Sequence, residues 1–219
     1  MEYWSDGVNL LGVYGESRTG CWILYNDGRA AILELPPYNP GQWSPTIAAQ
    51  IAAEQRNLTI EYLLCSHAHT DHIAEETLKE FNRAFPGAQV WLQNEFQEHM
   101  PAAKHVHYFD DFLKLSLGGE PLYLVHAPKH SWTDTIVIFK GVAITGDWEL
   151  NTIRSVHDGN HDMRVPLEVK LESIEKMKRF PVEQKYLVHK VFSVHANDRR
   201  DEVDFEELME DTKEDRVFW

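Results

Sequence analysis

The chain reads as an α/β protein of the mixed α+β kind, a four-layer αβ/βα sandwich with two sheets packed together and helices on the outside. Three observations predict this. Strands come in hairpin-linked runs in both halves of the sequence. Helical stretches with one apolar face lie between those runs, which suits layers that bury one side against a sheet. The polar clusters fall just after apolar strands, where loops gather residues that are distant in sequence.

The first part reads as strands over Gly7 to Tyr14, Gly20 to Tyr25 and Ala30 to Leu35. Asp27-Gly28 between the second and third is a two-residue hairpin signal. Pro36 to Gly41 is a loop, because proline and glycine break both ladders and helices. Ser44-Pro45 supplies an N-cap followed by proline at the first helical position, opening a helix over Thr46 to Arg56. The apolar run Tyr62-Leu63-Leu64-Cys65 is a buried strand. Ala74 to Phe85 is a helix ended by Pro86-Gly87, Ala88 to Leu92 a short strand, and Glu95 to His99 a short helix stopped by Pro101. Asp111 to Leu117 and Pro121 to His126 pair across Gly118-Gly119, and Thr135 to Phe139 pairs with Val142 to Thr145 across Lys140-Gly141. Pro166 to Arg179 is an amphipathic helix with Leu167, Leu171, Ile174 and Met177 on one face. Lys185 to Val194 reads as a strand, and Phe205 to Asp211 as a closing helix.

No repeat, low-complexity tract or linker divides the 219 residues, a length that suits one domain (1–219) with a substantial core. No apolar run approaches the roughly 20 residues needed to cross a bilayer, so no membrane partner is expected. The start, Met1 to Asp6, lacks the basic segment and apolar stretch of a secretory signal. The expected address is cytoplasmic. A formal net charge of −14 argues against nucleic acid as a partner, since that requires a basic footprint. Much of the acid lies between Asp198 and Asp215, most simply a solvated face. The two cysteines, Cys21 and Cys65, sit among apolar residues and read as buried free thiols.

The densest chemistry is Ser66-His67-Ala68-His69-Thr70-Asp71-His72, three imidazoles and a carboxylate within six positions after a buried strand. Neutral imidazole and carboxylate are ligands for zinc, and they suit iron and manganese. Crowded titratable groups are a poor packing solution, because each needs a partner for its charge and hydrogen bonds. His67 and His69, at i and i+2 on extended backbone, point to the same side and can reach one ion. Asp71 and His72 come as the chain turns and can serve a second ion. Four ligands are too many for one site that keeps a position open for water. Further candidates stand at strand ends downstream: His130 after Ala127-Pro128-Lys129, Asp147 after the strand ending Thr145-Gly146, and His195 after Val191 to Val194. Asp147 has two oxygens and can bridge two cations. With no CxxC pair, the site is built from nitrogen and oxygen.

His67 to His72 resembles the HxHxDH motif of the metallo-β-lactamase superfamily. Thr19 to Leu24 looks like that family's early strand, Pro128-Lys129-His130-Ser131 like its second histidine loop, and Thr145-Gly146-Asp147 like its Gly-Asp turn. The agreement in order runs from about Gly7 to Asp198. The resemblance implies that His67, His69 and His130 hold a first metal, that Asp71, His72 and His195 hold a second, and that Asp147 bridges them. It implies two divalent ions, zinc first with iron or manganese as alternatives, and a hydroxide held between them as nucleophile. Asp71 would orient that nucleophile and shuttle its proton. Three departures stand out. Glu34 occupies the place of an aspartate at the end of the third strand. Lys129 replaces a glycine and reads as an exposed lysine with no task, or as a contact for a substrate carboxylate. The last histidine lacks flanking glycines, which leaves His189 as a competitor to the favoured His195.

The remaining histidines, His99, His105, His107, His126, His157 and His161, read as surface or hydrogen-bonded residues, with His157 and His161 the nearest to the site in sequence. Trp132 and Trp148 flank ligands and read equally as pocket walls or core aromatics. The resemblance implies a metal-dependent hydrolase of a small ester, thioester or lactone. The alternatives are a mononuclear-iron oxidoreductase resembling persulfide dioxygenases, a nuclease disfavoured by the charge, and a non-catalytic metal-binding member of the fold. The expected partner is a small-molecule substrate, and the sequence leaves the oligomeric state open.

Overall fold

The computed structural model describes residues 1–100, 106–148, 165–195 and 203–205. Among them, β1 (Glu2–Ser5), β2 (Val8–Tyr14), β3 (Thr19–Asn26) and β4 (Arg29–Leu33) form an antiparallel run. Helix α1 (Pro45–Arg56) then crosses to β5 (Thr59–Leu64), α2 (Glu75–Ala84) to β6 (Gln89–Gln93), and the short α3 (Phe96–His99) precedes β7 (Val106–Phe109). Strands β4 to β7 pair in parallel, so the first sheet is mixed, in the order β1-β2-β3-β4-β5-β6-β7. The second sheet contains β8 (Phe112–Leu117), β9 (Glu120–His126), β10 (Thr135–Phe139) and β11 (Val142–Thr145), followed after α4 (Leu167–Gln184) by β12 (Lys190–Ser193) and β13 (Val203–Asp204). Its order is β13-β12-β11-β10-β9-β8, with β11 and β12 parallel.

Three apolar clusters separate four layers, as the sequence predicts. One lies between the sheets and holds Trp4, Trp22, Leu33, Leu64, Val137, Ile144 and Phe192. A second packs α1 and α2 on the outer face of the first sheet through Ala49, Ala52, Leu78 and Phe81. The third packs α4 on the second sheet through Ile174, Met177 and Phe180. Alternation along a strand explains the split: Trp22 and Leu24 face the inner cluster while Cys21 and Ile23 face the outer one, a period of two.

Local signals place the turns and caps. Asp27 and Gly28 both take positive φ, 43° and 73°, the hairpin geometry whose twist matches the flanking strands. Ser44 caps α1, its Oγ accepting from Ile47 N at 3.2 Å, with Pro45 at the first helical position.

Several expectations are corrected. The strand expected over Lys185 to Val194 is confined to Lys190–Ser193. Lys185 is left-handed and closes α4, and that helix runs past Arg179 to Gln184. The buried face of α4 is Lys170, Ser173, Ile174, Met177 and Phe180, while Leu167 and Leu171 are exposed. Ser173 Oγ donates to the Pro128 carbonyl at 2.8 Å, and that polar pin accompanies the rotation of the helix away from the leucine face. Strands β1, β7 and β13 are short and lie outside the predicted elements. The closing helix expected from Phe205 lies outside the described residues beyond Phe205 itself.

Candidate metal centre

The polar residues expected at strand ends meet at one end of the two sheets. Parallel β4 and β5 leave the first sheet at this end, carrying Glu34 and Ser66-His67. Parallel β11 and β12 leave the second sheet there, carrying Gly146-Asp147 and His195. The sheets are joined at this edge by Thr135 N donating to Ser66 O and Gly20 N donating to Val194 O, each at 2.7 Å. Ala68 N adds a bond to Thr133 Oγ1 at 2.9 Å.

Two groups of ligand atoms form. His67, His69, His130 and Asp147 offer atoms that lie within 4.8 Å of one another, and so do Asp71, His72 and His195. Asp147 faces both. Its Oδ2 is 3.5 Å from His130 Nε2 and 3.8 Å from His67 Nε2. Its Oδ1 is 2.7 Å from His195 Nε2 and 3.5 Å from His72 Nε2. Every candidate ligand read from the sequence is therefore in the cluster. His195 rather than His189 is the one brought in: His195 is buried and His189 is exposed. His69 and Asp71 are partly exposed, while the other candidate ligands are buried.

The surroundings hold the candidate ligands in place. Glu34, fully buried and at φ 70°, pays backbone strain on the order of 1–3 kcal/mol to aim its carboxylate inward. Its Oε1 accepts from Ser66 N at 2.9 Å, and its Oε2 lies 3.3 Å from His72 Nδ1 and 3.2 Å from Cys65 Sγ. The sequence marks Glu34 as a departure, and the structure places it against His72. Ser66 Oγ is hydrogen-bonded to His67 Nδ1 at 3.1 Å, leaving Nε2 toward Asp147. Asp134 Oδ2 accepts from the backbone N–H groups of Lys129, His130 and Ser131 at 3.0, 2.6 and 2.9 Å. The sequence carries no local mark of that anchor, because the carboxylate accepts from N–H groups upstream of it and not from those two residues on, as in an Asx turn.

Lys129 is buried and donates to the Trp148 carbonyl, so the expectation of an exposed lysine is overturned. Trp148 is fully buried in the outer cluster of the second sheet and is a core residue. Trp132 is partly exposed, and its carbonyl bonds His126 Nε2 at 2.7 Å. His107 stacks on Trp91, and His99 is exposed at the end of α3. His105, His157 and His161 lie outside the described residues. Cys21 and Cys65 are buried free thiols, as expected.

Electrostatics divide the metal-free cluster. Burial pushes His67 well below the usual imidazole range, lowers His69, and takes His130 down to about 4. These rings are neutral at pH 7, the form that ligates. Burial also acts to lower His72, but the Asp147, Glu34 and Asp71 carboxylates outweigh it and raise the group to about 9. Burial acts to raise Asp147, yet His72, His195 and His67 hold its carboxyl well below the carboxylate range. His67 Nε2 is buried with no hydrogen-bond partner among the described residues, and the His67 and His72 ring centres are 3.8 Å apart. Orphaned buried polar atoms of this kind are costly alone. A set of imidazole and carboxylate donors fits a divalent metal ion.

No protein-family model matches the chain, and no curated protein matches it by sequence. Solved structures do match. The BLEG-1 B3 metallo-β-lactamase superposes with a TM-score of 0.63 at 21% identity, covering 94% of this chain and 97% of that one. ETHE1 from Myxococcus xanthus gives 0.62 at 14%, covering 96% and 84%. The rubredoxin oxygen:oxidoreductase of Desulfovibrio gigas gives 0.60 at 13%, covering 87% and 55%. At such identities the likeness is one of fold. The chain has the metallo-β-lactamase fold, and the resemblance read from the HxHxDH segment is borne out by both architecture and ligand cluster.

Proposed function

We propose that this protein is a metal-dependent hydrolase that cleaves a small ester, thioester or lactone. In this reading His67, His69 and His130 hold one divalent ion, Asp71, His72 and His195 hold a second, and Asp147 bridges them. Zinc is the first choice for both, with iron or manganese as alternatives. What carries the reading is the division of the Asp147 carboxylate, one oxygen toward each group of histidines. Two complete groups suit a pair of ions better than a mononuclear iron site, although the fold is shared with an oxygen:oxidoreductase.

Divalent ions in such a cage supply Lewis acidity and an ionised water at neutral pH. The chain's own residues do the rest. Asp71, partly exposed and 3.6 Å from His72 Nε2, is placed to accept a proton at its carboxylate and to orient the attacking water. Glu34 holds His72 from behind, and Ser66 holds the His67 ring so that Nε2 faces inward. His69 and Asp71 are the partly exposed members of the set, while the other candidate ligands are buried.

A small-molecule substrate and a cytoplasmic address belong to the same reading, supported by the acidic composition and the free thiols. Among the described residues no helix is long and apolar enough to cross a membrane.

The test is metal analysis of the purified protein followed by a screen of esters, thioesters and lactones, with phosphodiesters and oxygen uptake alongside. The expected result is two ions per chain and acyl-bond turnover that chelation abolishes and zinc restores. A single iron with oxygen uptake would replace this reading with the oxidoreductase. Metal that raises the melting temperature without turnover of any substrate would replace it with a non-catalytic binding role.

A further inference from the structure

Residues 127–130 and residues 146–148 belong to different connections of the second sheet, yet they are tied to each other in both directions. Trp148 Nε1 donates to the Ala127 carbonyl at 2.8 Å. Lys129 Nζ donates back to the Trp148 carbonyl at 2.5 Å and lies 4.9 Å from the centre of the indole ring. Lysine is rarely this buried, at 6% exposure, because taking an ammonium out of water is costly without compensation. Among the described residues a carbonyl and an aromatic face contribute to that compensation. The same loop is pinned from two other sides, by Asp134 Oδ2 on the backbone N–H groups of Lys129, His130 and Ser131 and by Ser173 Oγ on the Pro128 carbonyl.

The residues caught between these ties are His130, next to Lys129, and Asp147, next to Trp148. The ladder between β11 and β12 ends at Thr145 and Ser193, so the direction of the Asp147 carboxylate depends on the turn that follows. Lys129 grips that turn at the carbonyl of the very next residue. Ligand distances to a metal tolerate only about ±0.2 Å, so a small rotation there would spoil the sharing of the two oxygens.

We infer that Lys129 is a positioning residue for the ligand set: by clamping the His130 loop onto the Trp148 backbone, it holds Asp147 Oδ2 toward the His67–His69–His130 group and Oδ1 toward the His72–His195 group. The inference rests on the metal-binding reading above.

Co(II) titration of the metal-free full chain tests it, because the visible absorption bands report ligand geometry and the stepwise constants report each group. Wild type is expected to take up Co(II) in two steps. Lys129→Met should weaken the second step about tenfold or more, the range for losing a ligand's supporting partner, and should change the shape of the bands. Lys129→Arg should restore both, since a guanidinium can stack on the indole and donate to the carbonyl. A folded Lys129→Met protein with wild-type constants and spectrum overturns the inference, whatever its melting temperature, because a packing role alone lowers stability without moving the bands. Should that variant not fold, Lys129→Gln, which removes the charge and is one bond shorter, should show the same weakening and band change, and unchanged constants and spectrum there overturn the inference equally. Wild type that takes up no Co(II) overturns the metal-binding reading itself, an outcome distinct from the others.

Discussion

A single methyl group at Gly146 should disable the site. A Cβ built there would stand 2.5 Å from His67 Nδ1, 2.7 Å from Ser66 Oγ and 3.2 Å from His67 Cε1. Gly146 does not have positive φ, so Gly146→Ala carries no backbone strain and its cost is steric. Ordinary contact begins near 3.4 Å, which means the imidazole must retreat by about 1 Å. It has little room, because His67 is fully buried, with the His72 ring centre 3.8 Å away and the His69 ring centre 4.5 Å away. Overpacking of this kind costs about 1–3 kcal/mol. A retreat of about 1 Å is also several times the tolerance of a metal–ligand distance, about ±0.2 Å. Binding at the first group should weaken by about 10- to 100-fold. Gly87→Ala is the control, since nothing lies within 4 Å of its Cβ position, and it should stay within about 0.5 kcal/mol of wild type. Zinc content after dialysis against a metal buffer, together with melting temperature with and without zinc, reads both effects. A Gly146→Ala protein that retains wild-type zinc content and the full zinc-dependent rise in melting temperature would refute the geometry.

Further expectations follow from individual residues. His69→Ala or Asp147→Ala should abolish turnover and lower metal content, and full turnover in either variant would rule out the proposed mechanism. His72, raised to about 9 against an unfolded value near 6.5, stabilises the metal-free protein fully below about pH 6.5. That contribution, on the order of 3 kcal/mol, is lost as pH rises through about 9. His130, held down to about 4, works in the other direction and costs stability as pH falls below about 6.5. Melting temperatures of chelator-treated protein from pH 4 to 9.5 should therefore fall at both ends, and a flat alkaline limb would contradict the assignment of His72. Metal must displace the His72 proton, so calorimetry in buffers of different ionisation enthalpy should show proton release at pH 7. Glu34→Gln keeps an acceptor for Ser66 N but removes the charge beside His72. Stepwise titration should then show about 10- to 100-fold weaker binding at the second group with the first unchanged.

Much of the architecture is legible locally. Asp27-Gly28, Gly118-Gly119 and Lys140-Gly141 name their hairpins because positive φ at both positions is a property of two residues and their neighbours. Ser44-Pro45 names the start of α1 for the same reason. The HxHxDH segment is legible because its spacing on a strand exit puts imidazoles on one side before any tertiary contact is made. The orientation of α4 was not legible in this way. Spacing favours a face of Leu167, Leu171, Ile174 and Met177, whereas docking on the second sheet keeps Ile174 and Met177 buried, adds Lys170, Ser173 and Phe180, and leaves the two leucines exposed. The short edge strands β1, β7 and β13 carry too few residues for periodicity to mark them.

By itself the sequence determined which atoms could bind metal and roughly where each would leave its strand, since ligand chemistry and strand–turn patterns are written within a few residues. Tertiary structure alone decided that His195 and not His189 reaches the cluster, that Glu34 takes up its post behind His72, that Lys129 is buried against Trp148, and that the two oxygens of Asp147 face different groups. Those outcomes depend on two sheets meeting at one edge. Contacts between residues a hundred positions apart are set by packing and by the need to pair every buried polar atom, neither of which a local pattern contains.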